Sequence, residues 1–135
     1  MKIIIERSKA KVFVICPVRN VSDEFREKLV CEIAALQKDY DVYYPARDTN
    51  QDDNTGYRIC QDNMRAMKKA KIVFVAWDGN STGSLFDLGM AFAMKKKIRV
   101  LSDDLFPEKS EGKSFQNMVR DWEHKREPVY PDWTM

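Results

Sequence analysis

Histidine is almost missing from the 135-residue chain, His124 being the only one. It sits among Glu123, Lys125 and Arg126, so a histidine-based triad or a histidine-rich metal site has little to build on. Cysteine is also sparse. Cys16, Cys31 and Cys60 are odd in number and lack CxxC spacing, which argues against a disulfide framework or a zinc site and for free, buried thiols. No metal or other cofactor is expected. The longest apolar runs, Val12–Cys16 and Ile72–Trp77, fall far short of the ~20 residues of a membrane span. Met1–Arg7 is too briefly apolar and charged too early for a secretory signal. A dominant charge is lacking too: 23 basic against 21 acidic residues leave +2, without the pronounced basic face of a nucleic-acid binder. The basic run Lys95-Lys96-Lys97-Ile98-Arg99 reads as a solvated helix end that complements the helix dipole. These absences leave a small cytoplasmic protein, one domain over residues 1–135, binding neither nucleic acid nor membrane. Carboxylates are left to carry any acid–base or nucleophilic chemistry.

What is present is an alternation of strand and helix patterns. Lys11–Cys16 and Lys71–Trp77 are continuous β-branched and aromatic runs, as central strands buried on both faces require. Asp41–Tyr44 and Lys97–Leu101 are shorter strand candidates. Ser22 is placed to cap a helix with Phe25, Leu29, Ile33 and Leu36 on one stripe. Further helical patterns cover Tyr57–Lys69, Gly83–Lys96 and Lys113–His124. The alternation predicts an α/β fold: a small doubly wound, flavodoxin- or Rossmann-like three-layer sandwich on a four- to five-stranded parallel sheet. Residues 127–135 supply an edge strand at Pro128–Tyr130 or pack on a partner, and Met1–Ala10 is an extra strand or an arm.

In such sheets the ligand lies beyond the carboxyl ends of the strands. After the third strand comes Ser81-Thr82-Gly83-Ser84. It is either an anion cradle of hydroxyls and free helix N–H groups or an ordinary helix cap. Arg19, after the first strand, either contacts a phosphate or makes a surface salt bridge. Asp87 follows Gly83 by one helical turn inside the apolar Leu85–Ala91. It is either a buried functional acid, costly to leave unpaired, or an aspartate on a solvated stripe or in the favourable first turn of a helix. Asp62 on the preceding helix is expected to share its pocket, since paired carboxylates are the usual tools of glycosidic cleavage. The loop Tyr44–Asn54, with Arg47, Asp48, Gln51, Asp52 and Asp53, reads a base or ribose, closes as a lid, or is simply solvated.

From Lys11 to Ser102 the chain resembles the nucleoside 2-deoxyribosyltransferase family and its 2′-deoxynucleoside 5′-monophosphate N-hydrolase branch. Cys16-Pro17-Val18-Arg19-Asn20 is similar to that branch's small-residue loop with its arginine. Asp62 and the helix running to Ala70-Lys71-Ile72-Val73-Phe74-Val75 resemble D-x-x-x-[IL]-x-x-[AS]-D followed by apolar residues, with Lys71 where the second acid stands. Ser81–Ala91 resembles S/D-x-G-x-x-x-E-L-G-x-A, with Ser81 as in the hydrolase branch and Asp87 in place of the catalytic glutamate. The resemblance implies a carboxylate-nucleophile N-glycoside hydrolase or deoxyribosyltransferase acting on a small nucleotide or nucleoside, in a homodimer or larger homo-oligomer with shared sites. Asp87 would attack and Asp62 assist. Ser81, Gly83, Ser84, Arg19 and Ser102 would hold a 5′-phosphate, Ser102 from a neighbouring subunit. The shorter aspartate sets its oxygen back by roughly 1.5 Å, one C–C bond, which leaves open a catalytically silent nucleotide-binding module on the same fold.

Overall fold

A computed structural model describes residues 8–125. The expectations for Met1–Arg7 and for residues 126–135, including the strand at Pro128–Tyr130, lie outside the described residues. Four strands, β1 (Lys11–Ile15), β2 (Asp41–Tyr43), β3 (Ile72–Val75) and β4 (Lys97–Val100), form one sheet in the order β2-β1-β3-β4. Every pairing is parallel. The helices are α1 (Asp23–Leu36), α2 (Pro45–Asp48), α3 (Tyr57–Lys69), α4 (Thr82–Ala93) and α5 (Phe115–His124), with a 3-10 turn at Asp103–Leu105.

The strands alternate their side chains between two cores. Phe13, Ile15, Val73 and Val75 meet Met67 of α3, Leu88 and Ala91 of α4, and Val119 of α5. Val12, Val14, Cys16, Val42 and Phe74 meet Leu29 and Ile33 of α1 and Leu105. Side chains as fully buried as Phe13, Met67 and Leu88 each contribute roughly 1.5–3 kcal/mol. The result is the expected three-layer sandwich. Its ends are set locally: Ser22 Oγ accepts from Phe25 N (3.1 Å) to start α1, and Ser114 Oγ accepts from Asn117 N (3.0 Å) to start α5.

Both sheet edges are closed by side chains, as exposed strand edges usually must be. Arg47 Nη2 donates to Val42 O (2.7 Å) on β2. Trp122 Nε1 donates to Lys96 O (3.1 Å), and the Glu123 carboxylate accepts from Val100 N, on the β4 side. The sequence reading missed α2, a helical turn inside the supposed loop Tyr44–Asn54. Pro45 pre-sets its first turn, and the Asp48 carboxylate accepts from Tyr44 N (2.8 Å) to close it. Since β1 leads outward to β2 while β3 leads the other way to β4, the chain direction reverses between β1 and β3. In open α/β sheets such a reversal is where a ligand crevice forms, beyond the carboxyl ends of both strands.

Candidate active site

One wall of the crevice is the start of α4. Trp77 Nε1 donates to Ser81 O (3.0 Å), and Asp78 Oδ1 accepts from Asn80 N and Ser81 N, both at 2.9 Å. Ser81 then caps the helix, its Oγ accepting from Ser84 N at 3.3 Å and lying 3.1 Å from Ser84 Oγ. This arrangement revises the expected cradle. Ser84 is 1% exposed, and its amide is already committed to the cap. The donors left at this helix end are the N–H groups of Thr82 and Gly83, which sit at the first two helical positions. A Cβ on Gly83 would meet nothing within 4 Å, so the helix is uncovered on the side of Gly83. Asp78 already brings negative charge to the same helix end, and an anion bound there must share it. Replacing Ser81 by alanine should cost about 1 kcal/mol of stability in chemical denaturation; an unchanged midpoint would mean that the cap is not part of the fold's support.

Asp87 lies one turn further along α4 and is 9% exposed. No described residue gives it a hydrogen bond or an ion pair. Burial alone pushes its carboxyl up from 3.8 to about 7. Two thiols locate it. Burial and then the Asp87 charge push Cys16, just past β1, up to about 12, and Cys60 on α3 is raised by burial and then by Asp87 and Asp53. The Asp87 charge thus reaches the end of β1 and Cys60 on α3, the elements that α4 contacts. An unpaired, desolvated carboxylate in a crevice is a candidate functional group, because fold stability alone selects against it.

Asp62 is not placed with it. Its carboxylate receives Arg58 Nη1 at 2.6 Å and Arg65 Nη1 at 3.5 Å. It lines a groove at the β2 edge with Arg47, Asp48, Lys11 and Lys69. The physical reason is helix phase: two residues on from Cys60 is about 200° around α3. The motif itself is out of register with Asp62. With Ala70 and Lys71 in its last two places, counting back puts the first acid at Asn63. The structure turns Asn63 inward, 6% exposed, on the face shared with Cys60 and Met67. Asn63 was missed because an acid was sought; the spacing to Ala70 was the signal that could have found it.

The remaining expectations fall on the same sheet edge with different neighbours. Arg19 is exposed on the loop after β1, with no ion-pair partner among the described residues. Ser102 follows β4 and accepts from Asp104 N (3.3 Å) to start the 3-10 turn. Arg47 forks onto Asp48 (2.8 and 2.7 Å), which holds the Arg47 carboxylate partner below the usual acid range, chiefly through that hydrogen bond. Gln51 Nε2 donates to Pro45 O (2.9 Å) and Thr49 O (3.1 Å). These three side chains thus have partners within their own loop and β2. Asp53 caps α3 in place of Gly56, whose φ of +87° suits glycine. Its carboxylate accepts from Ile59 N (3.1 Å) and Thr55 N (3.3 Å), and the Ile59 bond leads in holding its carboxyl below the usual range. Arg58 Nη2 reaches back to Asn50 O and Asp52 O. The loop is tied to α3 rather than standing open as a lid.

Among the described residues no group of three or more histidine, cysteine or acidic side chains could hold a metal ion, and no helix is long and apolar enough to cross a membrane. A family model described as nucleoside 2-deoxyribosyltransferase matches residues 17–119. No curated protein sequence matches the chain.

Proposed function

The chain belongs to the nucleoside 2-deoxyribosyltransferase family, and from that premise we propose that it cleaves the N-glycosidic bond of 2′-deoxynucleoside 5′-monophosphates with Asp87 as the attacking carboxylate. The observation that carries this reading is the burial of Asp87, without a partner among the described residues, on the helix that follows β3. Its oxygen attacks the anomeric carbon, the C–N bond breaks, and the base leaves with the electron pair and takes up a proton from solvent. Water then attacks the glycosyl ester, releasing the sugar phosphate and regenerating the carboxylate; an acceptor base in place of water gives transfer. Attack requires the ionised form. With the carboxyl at about 7, a large protonated fraction persists at neutral pH, and kcat/KM should rise as pH increases through that value.

The amides of Thr82 and Gly83, the Ser81–Ser84 cap that orients them, and Arg19 support a 5′-phosphate site. In a homodimer, Ser102 of the partner subunit adds a hydroxyl to it. Asp62, held by Arg58 and Arg65, has no place in this scheme. A second reading, a silent nucleotide-binding module, is favoured by the two substitutions at acid positions of the family motifs: aspartate for glutamate at Asp87 and amide for acid at Asn63.

Chromatography after incubation with each common 2′-deoxynucleoside 5′-monophosphate separates the two. Free base from wild type and none from an Asp87→Ala variant is expected. Binding without base release favours the silent module. Parallel reactions with the unphosphorylated nucleosides test the phosphate site, which predicts a higher kcat/KM for the nucleotides.

A further inference from the structure

Resting on the proposed glycosidic activity, we propose that Tyr43 and Thr49 are positioning residues, which lock the Asn63 amide so that its N–H donors face the pentose attacked by Asp87. The lock is a directed chain of hydrogen bonds. Thr49 Oγ1 donates to Asn63 Oδ1 at 2.8 Å. A hydroxyl has one proton to give, so the 2.6 Å contact between Tyr43 and Thr49 must run from Tyr43 Oη to Thr49 Oγ1. Tyr43 is itself fixed, its ring stacked on Phe13 with centroids 5.5 Å apart. Thr49 and Asn63 are 4% and 6% exposed, so water competes poorly for the chain.

With Oδ1 accepting from Thr49, the amide is oriented so that the free donors of Asn63 are those of Nδ2. That nitrogen has no acceptor among the described residues. It is not sealed in either, since the only wholly enclosed side-chain polar atom lacking a partner among them is Arg120 Nε. Its two donors are therefore open to accessible space and available to a ligand. Asn63 lies one turn before Met67, which packs in one core with Leu88, the neighbour of Asp87 on α4. A pentose presenting its anomeric carbon to Asp87 therefore lies against this stretch of α3, with an acceptor oxygen toward Nδ2. Without Thr49 the amide is free to turn over and present its carbonyl instead.

Steady-state kinetics of base release from 2′-deoxynucleoside 5′-monophosphates tests this. Thr49→Val keeps the shape and removes the relay. It should raise KM about tenfold, the size of one hydrogen bond, with a smaller change in kcat. Thr49→Ser should restore KM, and Tyr43→Phe should show a weaker form of the Thr49→Val effect. Asn63→Ala should lose as much as Thr49→Val, and combining the two should add nothing, since Thr49 acts only through Asn63. A merely structural Thr49 would lower the thermal midpoint and the active fraction, leave KM unchanged and add to Asn63→Ala; either an unchanged KM or additivity overturns the proposal. Should wild type bind these nucleotides without releasing base, the glycosidic reading has failed. The same pattern is then sought in calorimetric Kd values: a Kd raised in Thr49→Val and restored in Thr49→Ser supports the lock, and equal Kd values overturn it. A wild type that neither binds nor cleaves any of them overturns both.

Discussion

Asp87→Asn should be inactive and, at alkaline pH, more stable than the wild type. Burial raises the carboxyl from 3.8 to about 7. The folded state therefore holds a proton that the unfolded chain has already lost between those values. Stability falls with pH wherever the folded state binds more protons. Below the unfolded value both states are protonated, and Asp87 costs nothing through its charge. Rising pH then removes stability up to about 7, and the deficit persists above it. The gap between 3.8 and about 7 corresponds to roughly 4 kcal/mol at about 1.4 kcal/mol for each pKa step of one. Asparagine mimics the protonated acid at every pH. The two proteins should unfold alike at strongly acidic pH, diverge progressively as pH rises from 3.8 to about 7, and stay apart by a constant amount above that. Denaturant titrations across that range would show it, and a wild type as stable as the variant at alkaline pH would mean that Asp87 is solvated or paired.

Asp87→Glu carries the second large effect. The added methylene moves the carboxylate forward by roughly one 1.5 Å bond. If the crevice is built around the shorter acid, the new oxygen overshoots its target, and a misplacement of about 1 Å can cost ~100-fold in rate. A loss of that order in kcat is expected, with little change in KM. A gain in kcat would show instead that the pocket still fits a glutamate and that the aspartate is a lapse.

Much of this arrangement was legible in the residues, for reasons that also explain what was not. Val12–Cys16 and Ile72–Trp77 announce themselves as strands because β1 and β3, flanked on both sides in the sheet, are buried on both faces and tolerate no polar alternation. Asp87 stands out because an acid inside Leu85–Ala91 breaks an apolar run. Asp62 illustrates the limit. In a string of letters an acid near the right place is persuasive, but a one-residue slip on a helix turns a side chain by about 100°, and the inward position belongs to Asn63. The loop after β2 misled differently. Arg47, Asp48 and Asp53 look like groups awaiting a ligand, yet each is spent on a neighbouring carboxylate, guanidinium, carbonyl or helix N-terminus, pairings that sequence does not display. Ser84 likewise reads as a free donor in the sequence, yet its amide is spent on Ser81 Oγ.

The central claim is that Asp87 forms a bond to the sugar. Rapid acid quench during turnover of a 2′-deoxynucleoside 5′-monophosphate, followed by intact-mass and peptide mass spectrometry, tests it most directly. The account predicts a fraction of the protein heavier by one deoxyribosyl phosphate residue, with the added mass on the peptide containing Asp87 and absent from Asp87→Asn. Base release that continues in Asp87→Asn, or an adduct that maps to another residue, would contradict it.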